Sequence, residues 1–232
     1  MEFLLRFLKA YVECHLNFAK VLLVTAHPDD EVMFFAPAIQ ALSSNDCSVE
    51  ILCLSIGNAN GLGRVRRKEL TEASKVLQVR VRAVVDDPEL QDGLQTDWSR
   101  QRVAAIVSEH LAGDSFDTVL TFDARGASGH MNHRAVHEGI RLLMQSRADG
   151  THGQGPDLAF WQLETVPVYA RFLPAAAALL AVPLLGRRCL VARSPAAARR
   201  AMGCHRTQMV WFRRIYVFLS VYMYLSFLSP MV

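Results

Sequence analysis

Residues 24–35, VTAHPDDEVMFF, place a histidine, a proline and three consecutive carboxylates directly after an apolar run. Carboxylates this close repel one another unless something positive sits among them. A divalent metal removes the conflict, and His27 with Asp29 or Asp30 offers the nitrogen and oxygen donors that suit zinc. A catalytic zinc usually takes three protein ligands and keeps one position for water, so a third ligand must come from elsewhere. Downstream, ARGASGHMNHRAVH holds His130, His133 and His137 at i, i+3 and i+7, one face of a helix that begins near Gly129. Spacing does not choose among them, although His137, deeper in the helix, is the weakest candidate. Asp123, ending the preceding run, is placed to orient a histidine from behind the metal.

These residues need elements to bring them together. Five β-rich runs, at 20–26, 48–56, 81–87, 117–123 and 158–164, alternate with helical patterns near 37–43, 66–78, 97–112 and 132–147. Strands apolar on both faces that alternate with helices predict an α/β fold: a Rossmann-like, mostly parallel sheet flanked by helices. In such sheets ligands gather beyond the carboxyl ends of the strands. The loops HPDDE, GNANGLGR and ARGASGHMNH therefore fall on one rim. Pro37 suits the first turn of a helix, so HPDDEVMFF reads as an irregular loop ahead of it.

The 232 residues fit one substantial domain, and a chain 51% hydrophobic and 20% charged is not disordered. A net charge of +3 gives no general case for nucleic acid. The cluster Arg64, Arg66, Arg67 and Lys68 reads either as a solvated helix face or as a contact for phosphate or an anionic membrane. Five cysteines without a C-x-x-C pair read as reduced, structural thiols. The expected division is an amphipathic segment over 1–19, a catalytic domain over 20–214 and an apolar tail over 215–232. The first segment is too broken by charge to span a bilayer. The tail has eighteen uncharged residues after Arg213 and Arg214, which predicts an apolar C-terminal helix, spanning or docked. Residues 172–186, interrupted by prolines, suit a core or interfacial segment.

AHPDDE followed by SGHMNHRAV resembles the PIG-L/LmbE family of zinc-dependent N-deacetylases. The likeness runs from about residue 20 to 216 and includes HPDDEVMFFAP, RKEL (67–70), TFDARGASGHMNH and MGCHRTQMVWFRRIY. The last of these lies outside the shared metal motifs and is similar to the PIG-L branch. The resemblance implies an LmbE-like fold and zinc, or another divalent metal, held by His27, Asp30 and His133. It implies Asp29 as general base and His130 as general acid or electrostatic stabiliser. The implied substrate is N-acetylglucosaminyl-phosphatidylinositol, deacetylated in the second step of GPI-anchor biosynthesis at the cytosolic face of the endoplasmic reticulum membrane. The implied partners are that glycolipid and a membrane surface, with no nucleic acid. Arg66 matches a family arginine suited to the phosphodiester or sugar hydroxyls. Glu31 is expected to accept backbone N–H groups, and His205 with Gln208 to form a buried hydrogen-bonded pair. The sequence departs from the branch in showing no N-terminal transmembrane helix. Arg64 and Arg125 also stand where an acidic and a small residue are expected, which makes the rim more basic. Two rival functions fit the motifs: deacetylation of a soluble N-acetylated aminosugar conjugate, and non-catalytic membrane or partner binding. The presence of all five chemistry-bearing residues argues against the second.

Overall fold

The computed structural model describes residues 16–93, 97–149, 157–172 and 188–232. Most of the 1–19 segment and nearly all of 172–186 lie outside the described residues. The strand Lys20–Thr25 (β1) is buried along nearly its whole length, which only the interior of a sheet covered on both faces allows. It pairs in parallel with Ser48–Cys53 (β2) on one side, Val21 beside Val49 and Thr25 beside Cys53. On the other side it pairs with Thr118–Phe122 (β4), Leu23 beside Leu120. Arg80–Val84 (β3) and Ala159–Leu163 (β5) extend the parallel part outward. The sheet order is β3-β2-β1-β4-β5, continued by Leu225–Pro230 (β7) and then Arg188–Val191 (β6) at the edge. The chain moves outward from β1 through β2 to β3, then returns to β4 and leaves in the other direction. The β1/β4 boundary is thus the topological switch point, where ligands bind in sheets of this kind.

The helices before and between the strands are Asp30–Met33 (α1), Ala36–Ser43 (α2), Gly63–Leu77 (α3), Arg100–Leu111 (α4), the short Gly126–Gly129 (α5) and Met131–Ala148 (α6). Pro37 sits in the first turn of α2, as its lost N–H requires. Ser99 caps α4 by accepting the Arg102 N–H at 3.3 Å. All five expected strands and all four expected helices are present. Cys47, Cys53 and Cys189 are buried free thiols. Burial pushes Cys47 and Cys189 up to about 12, so neither is reactive at neutral pH.

The C-terminal part corrects the expectation of an apolar terminal helix over 215–232. After Val168–Arg171 (α7), Arg188–Val191 (β6) and Pro195–Cys204 (α8), the helix Trp211–Leu219 (α9) stops before Ser220. Leu225–Pro230 then forms β7, inserted antiparallel between β5 and β6. The tail is apolar because Leu225, Phe227 and Leu228 are buried within the sheet. Burying three such side chains contributes roughly 1.5–3 kcal/mol each, against a net domain stability of about 5–15 kcal/mol. Among the described residues β6 pairs with β7 alone. Deleting residues 225–232 is therefore expected to abolish the cooperative urea transition followed by circular dichroism. A truncated chain with the parent midpoint would show β7 to be dispensable. No described helix is long and apolar enough to cross a membrane.

Candidate metal centre and active site

Pro28 restricts His27 to an extended backbone at the end of β1. The chain then turns sharply at Asp29, whose φ of 112° is a region that Asp and Asn visit more readily than bulkier residues. Three bonds hold this turn. The Asp29 N–H donates to Glu31 Oε2 at 3.0 Å, and the Asp29 carbonyl accepts from Val32 and Met33 at 3.1 and 2.9 Å. Residues 30–33 consequently form one helical turn where an irregular loop was expected. The turn sends neighbouring carboxylates to different partners. Asp30 Oδ2 accepts the N–H groups of Ala26 (3.1 Å) and His27 (2.8 Å), while its Oδ1 faces His133 Nε2 at 3.1 Å. Asp29 Oδ2 accepts from Arg213 and lies 3.7 Å from Arg66 Nη2.

The loop after β4 supplies the histidines. Gly126 has φ +64°, and a Cβ there would stand 2.8 Å from His133 Cβ, so glycine alone allows the approach. Its carbonyl lies 2.9 Å from His133 Nδ1 and accepts that nitrogen's proton. The lone pair is thereby left on Nε2, opposite Asp30 Oδ1. A carboxylate oxygen and an imidazole lone pair at that distance need a proton or a cation between them. The imidazole also stacks on Phe122 with ring centroids 4.2 Å apart. His130 caps α6, its Nδ1 accepting the Asn132 N–H at 3.2 Å, so its proton resides on Nε2. Ligand atoms of His27, His130 and His133 lie within 4.8 Å of one another, a set that can hold a metal ion. This set shares His27 and His133 with the expected trio and has His130 in place of Asp30. Asp30 remains at the centre through its contact with His133. The donors therefore fit a divalent cation.

All five expected residues, His27, Asp29, Asp30, His130 and His133, border one cleft of about 390 Å³. Burial disfavours charge on both Asp30 and His133, yet their mutual attraction outweighs it. The Asp30 carboxyl is held below the usual range and the His133 imidazole above it. Burial, reinforced by His27 and His133, pushes His130 down to about 4, so at pH 7 it is a neutral Nε2–H donor. His137 is turned away, its Nδ1 on the Phe122 carbonyl at 3.1 Å. Among the described residues Asp123 orients no histidine; its carboxylate accepts from Thr165 N (2.7 Å) and Thr165 Oγ1 (2.5 Å).

Arg66 is buried, whereas Arg64, Arg67 and Lys68 on the same helix face solvent. Its Nη1 donates to the Gly57 carbonyl (2.9 Å) and Asp92 Oδ2 (3.0 Å), and its Nη2 to the Pro28 carbonyl (2.9 Å). One guanidinium thus ties three rim loops together. Gly57 makes room for it: a Cβ there would lie 2.5 Å from Arg66 Cζ.

Asp92 was not foreseen. Its Oδ1 is 3.2 Å from His27 Nε2. Burial opposes its charge, but His27 and Arg66 prevail and hold it at about 2. It lies in the loop after β3, on the same rim, and the strand-end rule applied to that loop would have found it. Arg213, which the sequence marks only as a charge ahead of the apolar tail, is the partner of Asp29. Glu31 accepts the Asp29 N–H as expected, and its Oε1 also accepts from His205 Nε2 at 2.6 Å with both side chains fully buried. His205 is therefore paired with Glu31, not with the Gln208 side chain, which borders the cleft.

The family model of PIG-L, described as GlcNAc-PI de-N-acetylase, matches residues 22–144. The chain is 36% identical over 219 residues to N-acetylglucosaminyl-phosphatidylinositol de-N-acetylase of Bos taurus, covering 91% of this chain and 83% of that one. It is 38% identical over 217 residues to the probable N-acetylglucosaminyl-phosphatidylinositol de-N-acetylase of Schizosaccharomyces pombe, covering 88% and 83%. Among solved structures, N,N'-diacetylchitobiose deacetylase from Pyrococcus horikoshii has a TM-score of 0.63 at 17% identity, covering 97% of this chain and 90% of that one. Teicoplanin deacetylase Orf2, in a zinc-inhibited form, has a TM-score of 0.60 at 14% identity, covering 92% and 99%. At these identities the structural likeness is one of fold.

Proposed function

The chain belongs to the PIG-L family of GlcNAc-PI de-N-acetylases, and from that premise we propose that it hydrolyses N-acetylglucosaminyl-phosphatidylinositol to glucosaminyl-phosphatidylinositol and acetate in GPI-anchor biosynthesis. The observation that carries this reading is the convergence of the β1 and β4 loops at the switch point, with Asp30 Oδ1 3.1 Å from His133 Nε2 beside His27 and His130.

In this reading His27, Asp30 and His133 hold a divalent cation, zinc by the chemistry of the donors. When bound, such an ion supplies a Lewis acid and a water of lowered pKa. Asp29 is the base: Arg213 fixes one carboxylate oxygen, and the carboxylate takes the proton of the attacking water. His130 presents its Nε2–H to the acetamide oxygen as negative charge develops there. The proton held by Asp29 then passes to the leaving amine, so acetate and the free glucosamine depart. Arg66 serves the substrate by fixing the three loops that shape the cleft. The reaction takes place at the endoplasmic reticulum membrane with the cleft facing the cytosol, as the family implies.

The test is acetate release by the purified chain from N-acetylglucosaminyl-phosphatidylinositol, with metal content measured on the same sample. The expected result is acetate and deacetylated lipid in equal amounts, with activity lost on chelation and restored by zinc. Acetate release from soluble N-acetylated aminosugar conjugates alone would assign the site to the rival substrate class.

A further inference from the structure

Resting on the glycolipid substrate proposed above, we propose that the outward face of α9, with the adjoining α7 turn, is a docking surface for an anionic phospholipid bilayer beside the mouth of the cleft. α9 is apolar on two faces. Tyr216 and Val217 are buried against the body of the protein, but Trp211, Phe212, Ile215, Phe218 and Leu219 are all exposed. Their spacing, i, i+1, i+4, i+7 and i+8, is the stripe a surface helix ordinarily turns to its core. Here it points outward. Next to α7, Phe172 meets Tyr216 of α9 with ring centroids 6.3 Å apart, which joins the two segments in one patch. A gathered apolar patch of this kind marks an interaction surface, unlike singly scattered residues.

Charge names the occupant. Residues 165–232 contain nine arginines and no Asp or Glu, whereas residues 1–164 carry sixteen Lys and Arg against twenty-two Asp and Glu. Arg214 is exposed on α9, and Arg199 lies 5.3 Å from the Phe218 ring centroid. Aromatic side chains interleaved with arginine suit the boundary between anionic head groups and acyl chains. From the same helix Arg213 reaches inward to Asp29. A bilayer seated on α9 therefore presents its head groups at the cleft: the sugar enters while the lipid tails stay in the membrane, and docking through α9 needs no spanning segment.

Trp211 makes the surface observable. It is 74% exposed, while Trp98 and Trp161 are 3% and 7% exposed. The full chain is titrated with phosphatidylcholine vesicles containing about one-third phosphatidylinositol. Tryptophan emission is expected to shift to the blue and to be quenched by brominated acyl chains, and pure phosphatidylcholine vesicles should do less. The exposed-face double variant Phe212→Asp/Phe218→Asp is expected to partition at least about tenfold more weakly. Its acetate release from vesicle-borne substrate should fall in step, with release from the lipid-free head group unchanged. Unaltered emission of the parent chain on adding vesicles overturns the proposal, as does a double variant that partitions like the parent. A parent dimer split by the same substitutions also overturns it, since a second copy would then cover the patch. Vesicle binding through Trp211 without acetate release from either substrate would uphold the surface and refute the proposed function.

Discussion

Asp29→Asn is expected to lower kcat by about 10²–10⁴-fold, the range contributed by general acid–base catalysis, while metal content and KM stay near the parent's. The expectation follows from how the residue is held. Asparagine tolerates the φ of 112° at this position, so the turn into α1 survives. Its side-chain oxygen can still accept from Arg213, and its backbone N–H still donates to Glu31. Asp30, which alone of the two faces His133, is untouched. What asparagine cannot do is take a proton from water. Asp29→Ala would be the poorer experiment, because it also removes the acceptor for Arg213 and disfavours the backbone conformation. The measurement is steady-state acetate release with metal analysis of the same preparation. Parent-like turnover by Asp29→Asn would remove Asp29 from the role of base.

The parallel core and the two loops that bring His27, Asp30, His130 and His133 to one cleft were legible because they rest on local signals. Interior strands such as KVLLVT are apolar on both faces, and an acid-rich loop following one of them has few structural explanations. The features that escaped are all set by distant partners. The tail after Arg214 is apolar without a clear period, so it fits a helix or a buried strand equally well. Only pairing with β5 and β6 decides for β7. Arg213 and Asp29 are 184 positions apart, and nothing local marks Arg213 off from Arg214. Arg66 shares its helix with four exposed cations, Arg64, Arg67, Lys68 and Lys75, and only the space at Gly57 singles it out as the one turned inward. Asp123 ends its strand where a histidine-orienting acid would stand, but Thr165 on the loop after β5 offers it two donors within 2.7 Å. Local chemistry proposed the partners of these side chains; long-range packing chose them.

His133→Ala separates ligand loss from base loss. Removing the imidazole deletes the Nε2 that faces Asp30 and leaves a buried carboxylate without its partner. Metal affinity is expected to fall by more than the roughly 10–100-fold typical of an outer-shell change, and turnover with it. The pH dependence of binding gives the sharper readout. In the parent, burial works against a charged His133, but Asp30 outweighs burial and raises its pKa above the usual histidine value. A proton on Nε2 then competes with the metal, so affinity weakens as pH falls through that raised value, and metal uptake releases a proton. The variant has no such proton to displace, so its affinity should depend less steeply on pH in the range where histidine titrates, about 5 to 8. Asp29→Asn, by contrast, should keep the parent slope. Isotherms for zinc at several pH values, with proton release measured in two buffers, check both statements. An alanine variant that binds zinc as tightly as the parent, with the same slope, would take His133 out of the metal site.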